Sequence, residues 1–220
     1  MSARDTARSP PDHLVEKILE MLQMQAEMNA RVDGDWRGRG REWYRAIWIE
    51  CAELMDHYGG WKWWKASPHD AEQVLLEIVD IWHFGLSLRI AEDADHRSTA
   101  NAIAAEWCAP PASAGFLRDV EHLAATALRE QAFAVGIVGH LLADIGRDFN
   151  DLYRAYVGKN VLNFFRQDHG YRTGAYSKIW AGREDNEHLV EILAALHADA
   201  PDFREAVYAA LRARYPLTAA

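Results

Sequence analysis

Apolar residues recur at helical spacing through almost the whole chain, and no stretch carries the period-two alternation of a half-buried strand. The longest run, Val74–Ile90 (VLLEIVDIWHFGLSLRI), is apolar on nearly every side, as in a helix enclosed by a core. Its polar members before Arg89 are Glu77, Asp80, His83 and Ser87. At about 100° per residue, Glu77, Asp80 and Ser87 fall on one narrow stripe, with His83 and Phe84 at its flank. A second run, Trp43–Met55 (WYRAIWIECAELM), is interrupted by Glu50 and Glu53. Carboxylates are almost never fully buried unless something compensates them. Two such pairs on two core helices repel one another unless a cation lies between them.

The other elements follow from start and stop signals. Ser9-Pro10-Pro11-Asp12 reads as a helix start, with Ser9 as the capping residue and Pro10 in the first helical position. Leu14, Ile18, Met21, Leu22 and Met28 give the helix that follows an apolar face, and Gln25 and Asn29 lie close to that face. Their amides suit either an internal polar contact or the reading of a ligand's base edge. Residues 33–41, DGDWRGRGR, form a basic Gly-rich break that either closes over an anion or serves as a solvated connection. A helix from about Arg41 to His57 stops at Gly59-Gly60 and is followed by WKWWK, Trp61 to Lys65. Core packing is the usual role of Trp, while Trp beside Lys also suits a base or sugar platform next to phosphates. Ser67-Pro68-His69-Asp70 repeats the earlier start signal ahead of the central helix.

Beyond Ile90 the polar EDADHRSTAN reads as a loop or fraying helix end, followed by a short helix near Ala100–Trp107 that stops at Pro110-Pro111. Two further helices are expected at about Gly115–Gln131 and Ala132–Phe149, with Asp144 and Asp148 as solvated charges at the second one's end. In the stretch from Asp151 to His188, Lys159, Asn163 and Arg166 share a helical face at i, i+4 and i+7. A loop bounded by Gly174 and Gly182 follows, with Tyr171, Arg172, Tyr176 and Lys178 close by. Together they make either a polyphosphate clamp or a solvated charged face. Two terminal helices, near Asn186–Ala198 and Pro201–Arg214, complete the chain. The expectation is one all-α domain over residues 9–220, a helical bundle with a buried four-carboxylate centre. Residues 1–8 are expected to be a flexible tail, and 33–41 and 170–183 mobile loops.

At 220 residues the chain is long enough to bury a real core, and with half of them apolar and 26% charged it reads as globular. A net charge of −9 argues against general nucleic-acid affinity, though not against a phosphate ligand carried with cations. Cys51 and Cys108 sit in apolar surroundings without a metal or disulfide spacing, so both are expected as buried thiols in a reducing cytoplasm. The N-terminus has no apolar signal segment, and two acids within the longest apolar run argue against a membrane span.

Glu50/Glu53 and Glu77/Asp80 each project from one side of a helix, and two antiparallel helices bring all four together. Oxygen-only ligands suit Mg²⁺ or Mn²⁺, and two cations about 3.5–4 Å apart activate a water while steadying a leaving phosphate. A di-iron oxidase needs Glu-x-x-His on two helices. Asp80-x-x-His83 supplies one imperfect match, and no good second match accompanies it.

With ECAEL followed by WKWWK, then EIVDIWHF, GKNVLNFFRQDHGY and YSKIWAGREDN, the chain resembles the dimeric all-α dUTPase family of the all-α NTP pyrophosphatase superfamily. The E-x-x-E…E-x-x-D pattern alone also fits MazG-like pyrophosphatases, and residues 92–148 carry no matching motif. The resemblance implies Mg²⁺-dependent hydrolysis of dUTP, and of dUDP, to dUMP by a homodimer, with two or three Mg²⁺ per site. It implies Glu50, Glu53, Glu77 and Asp80 as metal ligands and a water held by Glu50 or Glu53 as nucleophile. Gln25 and Asn29 are implied to read uracil, with Trp61 or Trp64 on the base, Phe84 under the deoxyribose and His83 beside it. Lys159, Asn163, Arg166, Tyr171, Lys178 and Asn186 are implied to hold sugar and phosphates, with Lys62 near the phosphates. His169, Arg172 and Trp63 depart from the family's usual residues. The rival readings are a broader pyrophosphatase acting on dCTP or non-standard nucleotides, and a nucleotide-gated interaction protein.

Overall fold

The computed structural model describes residues 10–197, 200 and 202–216. In chain order the helices are α1 (Asp12–Val32), α2 (Trp43–Tyr58), α3 (Ala71–Glu92), α4 (His96–Cys108), α5 (Phe116–Glu130), α6 (Val135–Asp144) and α7 (Phe149–Asp168). A two-residue antiparallel hairpin, β1 (Ile179–Trp180) and β2 (Arg183–Glu184), precedes α8 (Asp185–Ala195) and α9 (Phe203–Arg214). The all-α expectation holds, the hairpin being too short to show a strand period in the sequence.

Side-chain capping decides where several helices begin. The Asp70 carboxylate accepts from the Gln73 backbone N–H at 3.1 Å, so Asp70, not Ser67, caps α3. Asp95 accepts from the backbone N–H groups of Arg97 and Ser98, and α4 therefore starts within the stretch read as a loop or fraying end. Asp148, expected as a solvated charge, instead closes a reciprocal capping box with Asp151 at the head of α7. That cap separates α6 from α7, where a single helix to Phe149 was expected. The first helix begins at Asp12 with Pro11 as its cap residue, and Ser9 lies outside the described residues.

The central helix is α3, with 14 of its 22 residues buried, as its all-round apolar pattern requires. Packed against it, α2 pairs His57 with Asp70, Glu50 with Glu77 and Trp43 with Phe84, so the two run antiparallel. On the other sides of α3 lie α1, α4, α6 and α7. Trp82 of α3 is fully buried and meets Trp107 and Phe133 edge-on, and the missing side chain of Gly85 makes room for the Phe133 ring. Against α7, the C-terminal hairpin and helices pack an aromatic cluster of Phe165, Tyr176, Trp180, Tyr208 and Tyr215. Cys51 is buried as expected, and its environment pushes the thiol up to about 12, which leaves it unreactive. Cys108 is exposed, contrary to expectation, because it falls at the C-terminal end of α4 rather than on its packed face.

Candidate active site

The antiparallel pairing of α2 with α3 puts the i, i+3 acids of one helix opposite those of the other. Glu50, Glu53 and Glu77 each present a carboxylate oxygen, all within 4.8 Å of one another. They open onto a cavity of about 760 Å³. Desolvation, with Asp80 and Glu77 nearby, raises Glu50 to about 8. Burial and Asp80 likewise raise Glu77 to about 7, although Lys159 opposes the rise. Crowded acids that resist ionisation, with only oxygen to offer, have the chemistry of a divalent-cation site.

The fourth acid behaves differently. Asp80 lines the same cavity, but its Oδ2 accepts from Lys159 Nζ at 2.9 Å, and the clustered oxygens are those of the three glutamates. His57 also faces the cavity, with Nε2 3.7 Å from Glu77 Oε1. The sequence reading missed it. Its position at i+7 from Glu50 and i+4 from Glu53 is the signal that finds it.

The opposite wall comes from α7 and the C-terminal hairpin. Lys159, Arg166, Lys178, Arg183 and Asn186 line it. Arg166 is almost wholly engaged. Its Nε and Nη2 donate to the two oxygens of Asp185 at 2.8 Å each, its Nη1 to Asn163 at 3.1 Å and its Nη2 also to Asn186 at 3.3 Å. Asp185 is fully buried. Its burial opposes the charge, but the hydrogen bonds and charge of Arg166, with the Tyr176 hydrogen bond and the Lys159 charge, together outweigh it and hold the carboxyl below the usual range. Tyr176 donates to the same carboxylate at 2.8 Å. This bidentate pair ties α7 to the start of α8, and residues 170–183 are anchored from both ends. Lys178 and Arg166 also lie over the Tyr171 ring, 5.7 and 5.9 Å from its centre. Arg183 was missed too; it pairs with Glu191 at 2.5 Å.

The residues implied to meet base and sugar divide into groups. Gln25, Asn29 and His83 are buried in one hydrogen-bonded chain between α1 and α3, beside Tyr156 of α7. Burial lowers His83 to about 4, so it is neutral near pH 7. Phe84 is half-buried and stacks with Trp43 at 6.4 Å between centres. Trp61 and Trp64 meet edge-on at 5.6 Å in the loop after α2, and Lys62 is paired with Asp56. Gln25, Asn29, His83, Phe84, Trp61, Trp64, Lys62, Asn163 and Tyr171 do not line the acidic cavity, whereas Glu50, Glu53, Glu77, Asp80, Lys159, Arg166, Lys178 and Asn186 all do. The basic loop at 33–41 is also held. Trp36 is buried, Asp33 accepts from Arg41 at 2.5 Å, and Arg37 reaches the Ile90 carbonyl at the end of α3.

Fold and site together define an all-α protein whose cavity has clustered glutamates on one wall and basic groups on the other. Residues 17–171 match the dUTPase family, well over half of the chain. The protein belongs to that family and is a dUTP diphosphatase. No curated protein matches the chain. The matched span ends at Tyr171, so Lys178, Arg183 and Asn186 complete the cavity from beyond it. No described helix is long and apolar enough to cross a membrane.

Proposed function

We propose that the protein hydrolyses dUTP, and dUDP with it, to dUMP, releasing pyrophosphate or phosphate in a Mg²⁺-dependent reaction. Glu50, Glu53 and Glu77 would hold Mg²⁺, with Mn²⁺ able to replace it, and Asp80 would join them once Lys159 turns its ammonium to a phosphate oxygen. Bound there, the cation neutralises the phosphate chain and eases loss of a proton from water. Glu50 or Glu53 orients the attacking water and accepts its proton. Lys159, Lys178, Tyr171 and Asn186 bind the phosphates, joined by the outward edge of Arg166 and by Lys62. Gln25, Asn29 and His83 read the uracil, Trp61 or Trp64 covers it, and Phe84 and Asn163 contact the deoxyribose.

The observation that carries this reading is the glutamate cluster, its three oxygens within 4.8 Å, facing Lys159, Arg166 and Lys178 across one cavity. A triphosphate with its cation is complementary to both walls at once. A homodimer is part of the same reading. Trp63, 89% exposed after α2, and Ile49, 42% exposed on α2, leave apolar surface that a second subunit would cover. Sedimentation at micromolar concentration tests this, with a monomer as the contrary result. The substrate reading is tested by turnover of dUTP, dCTP, dTTP and UTP with Mg²⁺. Strong preference for dUTP is expected. Comparable dCTP turnover would favour the broader pyrophosphatase, and binding without turnover a nucleotide-gated interaction protein.

A further inference from the structure

Ser87 is fully buried on α3, one turn beyond His83, and takes no part in the acidic cavity. Its hydroxyl lies 3.0 Å from the His83 carbonyl oxygen and 3.3 Å from Asn29 Oδ1, so its single proton goes to the nearer carbonyl. The hydroxyl oxygen then accepts from Asn29 Nδ2 at 3.1 Å. That fixes Asn29 with its oxygen toward Gln25, whose Nε2 donates to it at 3.0 Å. Gln25 Oε1 is thereby turned to His83 Nδ1 at 2.7 Å. An amide oxygen only accepts, so the proton of the neutral ring sits on Nδ1 and Nε2 carries a lone pair. Nε2 is buried and has no hydrogen-bond partner among the described residues.

The direction of this chain matters because uracil and cytosine differ in hydrogen bonding at N3 as well as at the group on C4. Uracil presents N3–H, a donor, where cytosine presents a bare N3, an acceptor. We propose that Ser87 is a specificity-positioning residue, setting the direction of the Asn29–Gln25–His83 chain so that His83 Nε2 accepts from uracil N3–H and opposes the bare N3 of cytosine. This rests on the reading that Gln25, Asn29 and His83 face the base. Removing the hydroxyl leaves Asn29 Nδ2 as a buried donor without an acceptor, a costly state. Turning both amides over relieves it by placing Gln25 Nε2 against His83 Nδ1. The ring proton then moves to Nε2, which opposes uracil N3–H and suits cytosine N3. Tyr156 stacks on the His83 ring at 4.2 Å; its hydroxyl donates toward Gln25 Oε1 at 3.0 Å, and with Gln25 turned over its proton goes to the Met21 carbonyl oxygen at 2.9 Å, so the stacking holds the ring plane in both states.

The experiment pairs nitrogen-15 NMR of the His83 ring with kinetics of Ser87→Ala. In the unaltered protein the ring is expected in the Nδ1–H tautomer. In Ser87→Ala it is expected to shift to Nε2–H, and the dUTP-over-dCTP ratio of kcat/KM to fall about tenfold or more, the worth of one well-placed hydrogen bond. The loss should appear in KM for dUTP, with kcat at saturation little changed. An Nε2–H ring in the unaltered protein, or a ratio within about threefold of it in the variant, overturns the proposal. The tautomer measurement needs no variant, so it can overturn the proposal even if Ser87→Ala does not fold. His83→Phe separates this inference from the one beneath it. If His83→Phe also leaves the ratio unchanged, the base-site reading fails; if it lowers the ratio while Ser87→Ala does not, only the role of Ser87 fails.

Discussion

Replacing Glu50 with Gln is expected to have two opposite effects. Gln keeps the size of the side chain but supplies no charge to a cation, so turnover of dUTP should collapse. Losing one anionic ligand forfeits several kcal/mol of charge stabilisation at the phosphate chain, about three decades in rate. Without divalent cation the same change should stabilise the fold. The folded chain raises Glu50 from 4.5 to about 8, so ionising it works against folding. The sign follows from proton counts. Between those two values the folded state holds a proton that the unfolded state has lost, so stability falls as pH rises through that window. Each pKa unit is worth about 1.4 kcal/mol. Glu50 remains partly open to the cavity and water screens it, so we expect about 2 kcal/mol at pH 8. For a chain of this length that is a rise in Tm of roughly 4–8 °C. The gain should shrink as the pH approaches 4.5, where the carboxyl is protonated in both states. Thermal melting in EDTA across this pH range, alongside a pyrophosphate-release assay with Mg²⁺, checks both. Turnover within tenfold of the unaltered protein, or no rise in Tm at pH 8, would refute the reasoning.

Other outcomes follow from the same geometry. Mg²⁺ should raise Tm more at pH 8 than at pH 6, because Glu50 and Glu77 hold protons at the lower pH that the cation must displace; an equal rise would contradict the cluster as its site. Gly85→Ala should cost about 1–3 kcal/mol in urea unfolding, since the added carbon would lie 2.4 Å from the Phe133 ring; a neutral result would mean that the ring moves freely. Residues 33–41 and 170–183 should gain hydrogen-exchange protection with a non-hydrolysable dUTP analogue, and equal protection with and without it would show that these loops do not close on nucleotide.

Helical period alone made much of the site legible. The stripe of Glu77 and Asp80 on an otherwise apolar α3, matched by Glu50 and Glu53 on α2, was enough to bring the two helices together. The same period placed Lys159, Asn163 and Arg166 on one face of α7. What it could not show was which opposite charge each would find, because that is decided by packing between elements far apart in the chain. Lys159 took Asp80 and left three clustered glutamates rather than four. Arg166 took Asp185, a residue with nothing in its neighbourhood to announce that it would be fully buried. Competition between polar partners likewise hid the caps. Asp148 read as a solvated charge until its carboxylate was seen to satisfy the free N–H groups of α7. The sequence offers Gln25 and Asn29 both an internal contact and a ligand-reading role, and the structure has them bonded to each other, with His83 Nε2 unpartnered among the described residues beside them.

The most direct measurement is product analysis of dUTP incubated with the purified protein, with Mg²⁺ and then with excess EDTA. The account predicts dUMP and pyrophosphate in the first case and intact dUTP in the second. Equal dUMP formation in EDTA, or dUTP left intact with Mg²⁺, would contradict it.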